Sequence, residues 1–203
     1  MERIRHVEKL TDTPYLNLYQ FSTVQRSGKH SKYYVSSRTK DPQHLKAVDH
    51  HTRPDGVILY GVYGEQKDRL VLIRQYRYPI GGYVYEFPAG LLDEGETAAE
   101  AGIREMFEET GLNFRPMDGG CYQRPFFTSV GMTDESCAMC FGYCDGEPTN
   151  AHQESSEDIQ VVLADRDECR RILKEENVAV MCAYMMMHFI ASQGDPLEFV
   201  KER

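Results

Sequence analysis

Positive charge is scarce in this 203-residue sequence, in which 23 Lys and Arg residues stand against 32 Asp and Glu residues and the net charge is -9. Since the sequence also has no long basic run, a broad surface for the phosphate backbone of nucleic acid is not expected. Long apolar runs are missing too. The longest, Val178–Met187, is interrupted by His188 and falls well short of the ~20 residues that cross a bilayer. Nucleic acid and membrane are therefore not expected partners.

The N-terminal segment MERIRHVEKL lacks the continuous apolar region of a signal peptide, so a cytoplasmic location is expected. The six cysteines are then expected to be reduced thiols. Cys137, Cys140 and Cys144 include a Cys-x-x-Cys spacing that zinc sites use, but a second such pair is missing. Their segment is also typical of a buried strand, and we interpret these three residues as core thiols.

Alternating and continuous apolar runs separated by turn residues predict a chain rich in strands, with helices between and after them. Because 41% of the residues are hydrophobic, the chain can bury a sizeable core, and a layered α/β or α+β fold is expected. Strands are expected at Tyr15–Val24, Lys32–Arg38, Gly56–Tyr63, Leu70–Arg77, Tyr83–Phe87, near Gly120–Phe127, through the cysteine segment and at Ile159–Leu163, and late helices at Asp165–Glu176 and Val178–Ser192.

The segment Gly90–Leu112, GLLDEGETAAEAGIREMFEETGL, concentrates acidic residues on what is expected to be one short helix. Thr97 followed by Glu100 has the spacing of a capping box, which predicts the start of the helix. Gly111 stands where a left-handed C-terminal cap would end it. The expected helix therefore has about four turns.

Glu105, Glu108 and Glu109 lie at positions i, i+3 and i+4, so their carboxylates share one face of this helix. A solvated acidic face is one interpretation. A divalent cation is the other, since several carboxylate oxygens together with a phosphate make the environment that magnesium prefers. Arg104 is expected to hold carboxylates by paired hydrogen bonds, with Glu96 or Glu100 as its partner.

The wider spacing of the segment decides between these interpretations because it resembles the Nudix box at every defined position. In order, the segment reads Gly90, five residues, Glu96, seven residues, Arg104-Glu105, apolar Met106, one residue, Glu108-Glu109, one residue, Gly111 and apolar Leu112. The resemblance implies an α/β/α sandwich with a mixed sheet and the hydrolysis of a diphosphate linked to another moiety. It also implies Mg²⁺ or Mn²⁺ on Glu105 and Glu109, with support from Glu108 and a further ligand in the Ala89 carbonyl.

The flanking sequence RQYRYPIGGYVYEFPAGLLDEGET is similar to that of the ADP-ribose and ADP-sugar pyrophosphatases. In that branch Arg77 would contact the diphosphate, and Glu86 would help to hold the metal shell or the substrate. Without the resemblance, Arg77 reads equally well as a surface charge.

The same branch implies a small N-terminal antiparallel β unit, at residues 1–48, that takes part in a homodimer and contacts the base of the substrate, followed by the hydrolase domain at 49–203. Related animal enzymes stack the adenine between tryptophans, and this sequence has none. Tyr15 and Tyr33 occupy the corresponding positions, with Arg38 near the second. Tyrosine can stack on a base, although both residues also read as ordinary strand residues.

Two features of the late loops bear on the substrate and on the catalytic base. Typical ADP-ribose hydrolases carry Ser-Pro-Gly after the box, whereas this sequence has Val130 in place of the proline. In this branch a loop glutamate activates the water, and the candidates are Glu157, Glu154 and Glu135. Glu157 aligns best and is also an expected metal ligand.

The sequence therefore predicts a Mg²⁺-dependent, homodimeric hydrolase that converts ADP-ribose to AMP and ribose 5-phosphate. A GDP- or UDP-sugar is the alternative substrate, since stacking on tyrosine tolerates different bases. A module that senses ADP-ribose without cleaving it is a further alternative, but such modules typically lose carboxylates that this box retains. Removal of oxidised nucleoside triphosphates is disfavoured by the N-terminal extension and by the flank of the box.

Overall fold

The structure, a computed structural model, describes residues 3–153 and 158–201. The chain divides into two compact units. The first comprises Met1–Asp55 and Arg124–Cys137, and the second comprises Gly56–Gln123 and Ala138–Arg203. The domain boundary expected between residues 48 and 49 stays a prediction.

The first unit is built on three antiparallel strands, β1 at Ile4–Lys9, β2 at Asn17–Val24 and β3 at His30–Ser37. Its core consists of Tyr19, Phe21, Val35 and Leu45, and a one-turn helix, α1, follows at Lys46–Asp49. The antiparallel pairing of β2 with β3 confirms the expected N-terminal antiparallel β unit. Strand β1 was not expected, because Ile4 and Val7 are the only apolar residues among its six and leave little apolar signal.

In its described residues, the second unit contains a sheet and four α-helices. The strands of the sheet are β4 at Gly56–Tyr63, β5 at Arg69–Arg77, β6 at Gly82–Glu86, β7 at Ala89–Leu91, β8 at Asn113–Phe127, β9 at Ser136–Asp145 and β10 at Ile159–Ala164. Their order is β10-β5-β4-β9-β8, with β6 paired to β5 and β7 paired to β4. The helices are α2 at Ala98–Thr110, α3 at Arg166–Glu175, α4 at Val180–Ala191 and α5 at Glu198–Lys201.

Helices cover both faces of this sheet. On one face Tyr60, Val62, Leu70 and Leu72 pack with residues of α3 and α4, among them Ile172, Met186 and Phe189. On the other face Val57, Leu59 and Val71 pack with Ala98, Ala101 and Met106 of α2. This two-sided cover explains why residues 70–73 of β5 form a continuous buried run, since a strand covered on both faces has no polar side. The predicted α/β/α sandwich is confirmed.

The expectation of six reduced cysteines is wrong for two of them, because Cys121 of β8 and Cys140 of β9 form a disulfide. Their Cα atoms lie 4.1 Å apart although the residues are separated by 19 positions, so the pair exists only through the contact of neighbouring strands. The four free cysteines are Cys137, Cys144, Cys169 and Cys182. Burial raises the pKa of the Cys137, Cys144 and Cys169 thiols to about 12.

Within residues 3–153 and 158–201, none of the helices combines the length and the apolar character that crossing a membrane requires.

Candidate functional site

Helix α2 begins and ends at the residues that the sequence predicted. The Thr97 hydroxyl accepts a hydrogen bond from the Glu100 amide at 3.3 Å, and the Thr97 amide donates to the Glu100 carboxylate at 2.9 Å, which completes the capping box. At the other end Gly111 adopts a left-handed conformation with φ of 73°. A Cβ atom there would lie 2.3 Å from Cγ2 of Thr149, so only glycine fits.

Glu109, in the last turn of α2, reaches the main chain of strand β7. The Ala89 amide donates a hydrogen bond to Oε2 of Glu109 at 3.0 Å, and Glu109 is only 3% exposed. Strand β7 is itself held by pairing with β4, in which Ala89 lies opposite Ile58. The side chain of Gln153 donates to the Glu109 carbonyl at 2.7 Å. The carboxylate is therefore fixed beside the Ala89 backbone.

Glu105, one turn earlier, lies against the same strand. A Cβ atom on Gly90 would lie 1.9 Å from both Cδ and Oε1 of Glu105, so the carboxylate occupies the space that any other residue at position 90 would fill. The sequence marked Gly90 as the first residue of the motif but gave no sign of this contact. Glycine at this position makes room for the second carboxylate of the helix.

The guanidinium of Arg104 connects the carboxylates of Glu96, Glu105 and Glu108. Its Nε and Nη2 donate to the two oxygens of Glu96 at 3.0 and 2.9 Å, which is a bidentate pair. Its Nη1 donates to Glu105 at 2.7 Å and to Glu108 at 3.1 Å, and Nη2 also donates to the Leu91 carbonyl at 3.1 Å. Of the two partners expected for Arg104, Glu96 is the one that the structure pairs with it.

These hydrogen bonds shift the pKa values of both partners. The Glu96 carboxylate, followed by Glu105 and Glu108, raises the pKa of Arg104 although partial burial opposes this. In turn, the hydrogen bond from Arg104 lowers the pKa of Glu96. Both groups are therefore charged at neutral pH, and Arg104 offsets part of the repulsion between the carboxylates of α2.

Arg77 and Glu86 are also brought together. Nε of Arg77 donates to Oε2 of Glu86 at 2.7 Å. Both residues belong to adjacent strands, where Arg77 lies opposite Gly82 and Glu86 opposite Ile73, so their side chains leave the same face of the sheet. The roles expected for them, a diphosphate contact and support of the metal shell, stay predictions.

The residues expected to contact the base belong to the first unit. Tyr15 and Tyr33 are exposed, and the Tyr33 hydroxyl donates to the Gly131 carbonyl at 2.7 Å. Tyr33 and Val130 line one mostly apolar cavity of about 470 Å³. Arg38 donates from Nε to Glu135 at 2.8 Å. The role of these side chains in substrate binding stays a prediction.

Of the three candidates for the general base, Glu154 and Glu157 lie outside the described residues. Glu135 accepts hydrogen bonds from Arg38 and from the Thr128 hydroxyl, the latter at 3.3 Å. Within residues 3–153 and 158–201, no three His, Cys, Asp or Glu side chains are grouped so as to hold a metal ion. The expected metal ligands that the structure does describe are Ala89, Glu105 and Glu109.

The donor set of these residues fits a hard divalent cation. Carboxylate and main-chain carbonyl oxygens are the protein ligands that magnesium uses, together with water and phosphate oxygens. The space at Gly90 admits the Glu105 carboxylate, and the Ala89 amide holds the Glu109 carboxylate one helical turn away. The geometry of α2 and β7 therefore suits a site that brings a cation to an anionic substrate.

A sequence model of the NUDIX domain matches residues 52–181, which is more than half of the chain. The chain belongs to the NUDIX family. Two similar curated proteins are "Putative nudix hydrolase 2" of Caenorhabditis elegans and "ADP-ribose pyrophosphatase" of Saccharomyces cerevisiae. The first is 37% identical over 134 residues, which is 60% of this chain and 58% of that protein. The second is 32% identical over 110 residues, which is 54% of this chain and 45% of that protein.

The matches thus span about half the length of these curated relatives. Among solved structures, the crystal structure of an ADP compounds hydrolase superimposes with a TM-score of 0.65 and covers 95% of both chains at 17% sequence identity. That similarity confirms the NUDIX fold. In this NUDIX chain, the motif expected from the sequence corresponds to β7, α2 and the turn between them.

Proposed function

We propose that this protein is a hydrolase of nucleotide sugars that depends on Mg²⁺, for which Mn²⁺ can substitute. The observation that carries the proposal is the position of two carboxylates of helix α2 against strand β7. Glu105 occupies the space left by Gly90, and Glu109 is held by the Ala89 amide. A sensing module has no need of carboxylates placed in this way, so catalysis is favoured over binding alone.

In this proposal the residues of α2 and β7 have different roles at the metal site. Glu105, Glu109 and the Ala89 carbonyl would hold the cation, together with Glu157. Glu108 supports the site, and Arg104 keeps Glu105 in position through its bond of 2.7 Å. Bound at these oxygens, the cation would neutralise charge on the diphosphate and lower the pKa of a water molecule. Glu157, or else Glu154 or Glu135, would accept the proton of the attacking water.

ADP-ribose is the substrate that we propose first, with water giving AMP and ribose 5-phosphate. The similarity of the flank around Arg77 and Glu86 to the ADP-sugar branch and the name of the yeast relative support this choice. Tyr15, Tyr33 and Arg38 would contact the base. Because tyrosine stacking tolerates different bases, a GDP- or UDP-sugar is the second candidate. We also propose that the protein works as a homodimer in the cytoplasm, with residues 1–48 contributing to dimerisation.

The decisive experiment is a hydrolysis screen with Mg²⁺ over ADP-ribose, UDP- and GDP-sugars and dinucleotides. A phosphatase added to the assay frees phosphate from monophosphate products but not from intact diphosphate links. Triphosphates are followed separately by chromatography, since the phosphatase attacks them directly. We expect ADP-ribose to be cleaved with the highest kcat/KM.

Two variants test whether the cleavage depends on the proposed metal ligands. Glu109→Gln should lose at least ~100-fold in turnover, because it removes a charged oxygen ligand without changing side-chain size. Glu94→Gln changes an exposed acid of the same segment and should behave as wild type. Absence of cleavage for every diphosphate would contradict the proposed activity, and normal turnover by Glu109→Gln would contradict the proposed ligand set.

A further inference from the structure

Glu109, a ligand of the proposed metal site, lies in the part of α2 that opens most easily. It is the residue before Thr110, at which the helix ends. The last four carbonyl groups of a helix have no hydrogen-bond partner within it, and terminal turns open at a low cost in free energy. A metal ligand in this turn therefore needs contacts from outside the helix to keep it in place.

A turn at residues 149–153, between β9 and β10, supplies such contacts. The Thr149 amide donates a hydrogen bond to the Thr110 carbonyl at 2.8 Å. Nε2 of Gln153 donates to the Glu109 carbonyl at 2.7 Å. Two of the carbonyl groups that the end of α2 leaves without a helical partner are thus bound by this one turn.

Gln153 is kept within reach of α2 by the rest of its turn. Its backbone amide donates to the Asn150 carbonyl at 3.3 Å, which closes the turn. Beside it, the ring of His152 stacks on the ring of Phe107 in α2, with the two centroids 4.4 Å apart. Because the backbone of the turn is already fixed to the helix, the bond from the Gln153 side chain orders only that side chain.

We infer that Gln153 is a positioning residue, which holds Glu109 in place for the cation. Glu109 is bound at two points, since the Ala89 amide donates to its carboxylate at 3.0 Å and Gln153 donates to its carbonyl. Without the second bond, the last turn of α2 should open more often and carry the carboxylate away from β7. The inference rests on the proposed function, because the cation that Glu109 would bind belongs to it.

Hydrogen exchange in the metal-free protein measures the position of Glu109 directly. Gln153→Met keeps the length of the side chain and removes the donor. The Ala89 amide is protected by the Glu109 carboxylate, so its exchange, followed by NMR, should become ~5-fold faster in this variant, which is the effect of about one hydrogen bond. Thermal unfolding followed by circular dichroism checks that the variant keeps the fold.

Gln123→Met is the matched control, because it removes a hydrogen bond from the other end of the same helix. The Gln123 side chain accepts from the Ala98 amide, in the first turn of α2, at 3.2 Å. A general loosening of α2 would affect both variants alike. If Gln153 acts on Glu109, the exchange of the Ala89 amide in Gln123→Met should equal that of wild type.

Calorimetric titration with Mn²⁺ then connects the position of Glu109 to the metal. We expect Gln153→Met to bind Mn²⁺ ~10-fold more weakly than wild type, as is common when a residue that orients a ligand is changed. Gln123→Met should bind it with unaltered affinity. Unchanged Ala89 exchange or unchanged Mn²⁺ affinity in Gln153→Met, or equal effects in the two variants, would overturn the inference while the proposed function stands. A wild type that binds no Mn²⁺ would overturn both.

Discussion

A Cβ atom at Gly90 would lie 1.9 Å from the carboxylate of Glu105. Gly90→Ala should therefore displace this carboxylate, because the side chain of Glu105 can rotate away while the paired backbone of β7 cannot move as easily. Misplacing a catalytic group by about 1 Å can cost ~100-fold in rate, and we expect a loss of that order in kcat. Steady-state kinetics at saturating Mg²⁺ and substrate measure the loss.

Gly82→Ala is the control for this experiment. A Cβ atom at Gly82 would meet its nearest neighbour, the Ile80 carbonyl oxygen, at an ordinary 4.0 Å, so this variant should keep wild-type kinetics. If Gly90→Ala retained full activity, the position of the Glu105 carboxylate against β7 would have no role in turnover.

Arg104→Lys tests whether Arg104 positions the carboxylates or only balances their charge. Lysine keeps the positive charge but cannot reproduce the bidentate bond to Glu96 together with the bonds to Glu105 and Glu108. We expect Mn²⁺ affinity, measured by calorimetry, to fall ~10-fold or more, as is common when a residue that orients metal ligands is changed. Arg115→Lys changes an exposed arginine paired with Asp145 and should leave Mn²⁺ binding unaltered. Equal Mn²⁺ affinity in Arg104→Lys would show that charge alone is sufficient.

Tyr33→Ala and Tyr33→Phe separate the ring of Tyr33 from its hydroxyl. If the ring stacks on the base, Tyr33→Ala should raise KM for ADP-ribose about 10-fold with a small effect on kcat, because stacking stabilises ground and transition states alike. Tyr33→Phe keeps the ring and loses only the hydrogen bond to the Gly131 carbonyl, so its KM should stay near the wild-type value. An unchanged KM in Tyr33→Ala would remove this residue from the substrate site.

The helix that carries the candidate site could be located from sequence because its signals are local. The capping box of Thr97 and Glu100 and the left-handed Gly111 lie within or next to α2, and the structure has all of them at the expected positions. The continuous apolar runs along β4 and β5 are likewise visible within each strand alone. Patterns of this kind do not require knowledge of what the segment packs against.

Features that depend on pairing between distant segments could not be predicted from the sequence. The contact of Gly90 with Glu105 requires β7 to lie under α2, and the disulfide of Cys121 with Cys140 requires β8 to neighbour β9. The choice of Glu96 over Glu100 by Arg104 follows from a competition, since the Glu100 carboxylate is already taken by Thr97. Each of these outcomes depends on three-dimensional neighbours and not on local preference.

Asp195 provides a pH-dependent test of stability away from the candidate site. Partial burial by itself raises the pKa of Asp195, but hydrogen bonds from Lys67, Tyr143, the Leu197 amide and Lys201 outweigh it and hold the pKa well below its usual range. A carboxylate whose pKa is lower in the folded than in the unfolded state stabilises the fold above its unfolded value of about 3.9. This contribution is lost as the pH falls from about 4 through the folded pKa.

Asp195→Asn should therefore lower the free energy of unfolding by about 2 kcal/mol at pH 7, because the lost bonds involve a charged acceptor that is only 14% exposed. The difference from wild type should shrink as the pH is lowered from 4 to 3, since the wild-type carboxylate then loses its advantage. Urea unfolding at several pH values, followed by circular dichroism, measures both effects. Asp12→Asn, at an exposed pair with Lys9, should give a smaller change at pH 7. A pH-independent difference between Asp195→Asn and wild type would mean that packing, and not the charge of Asp195, stabilises this region.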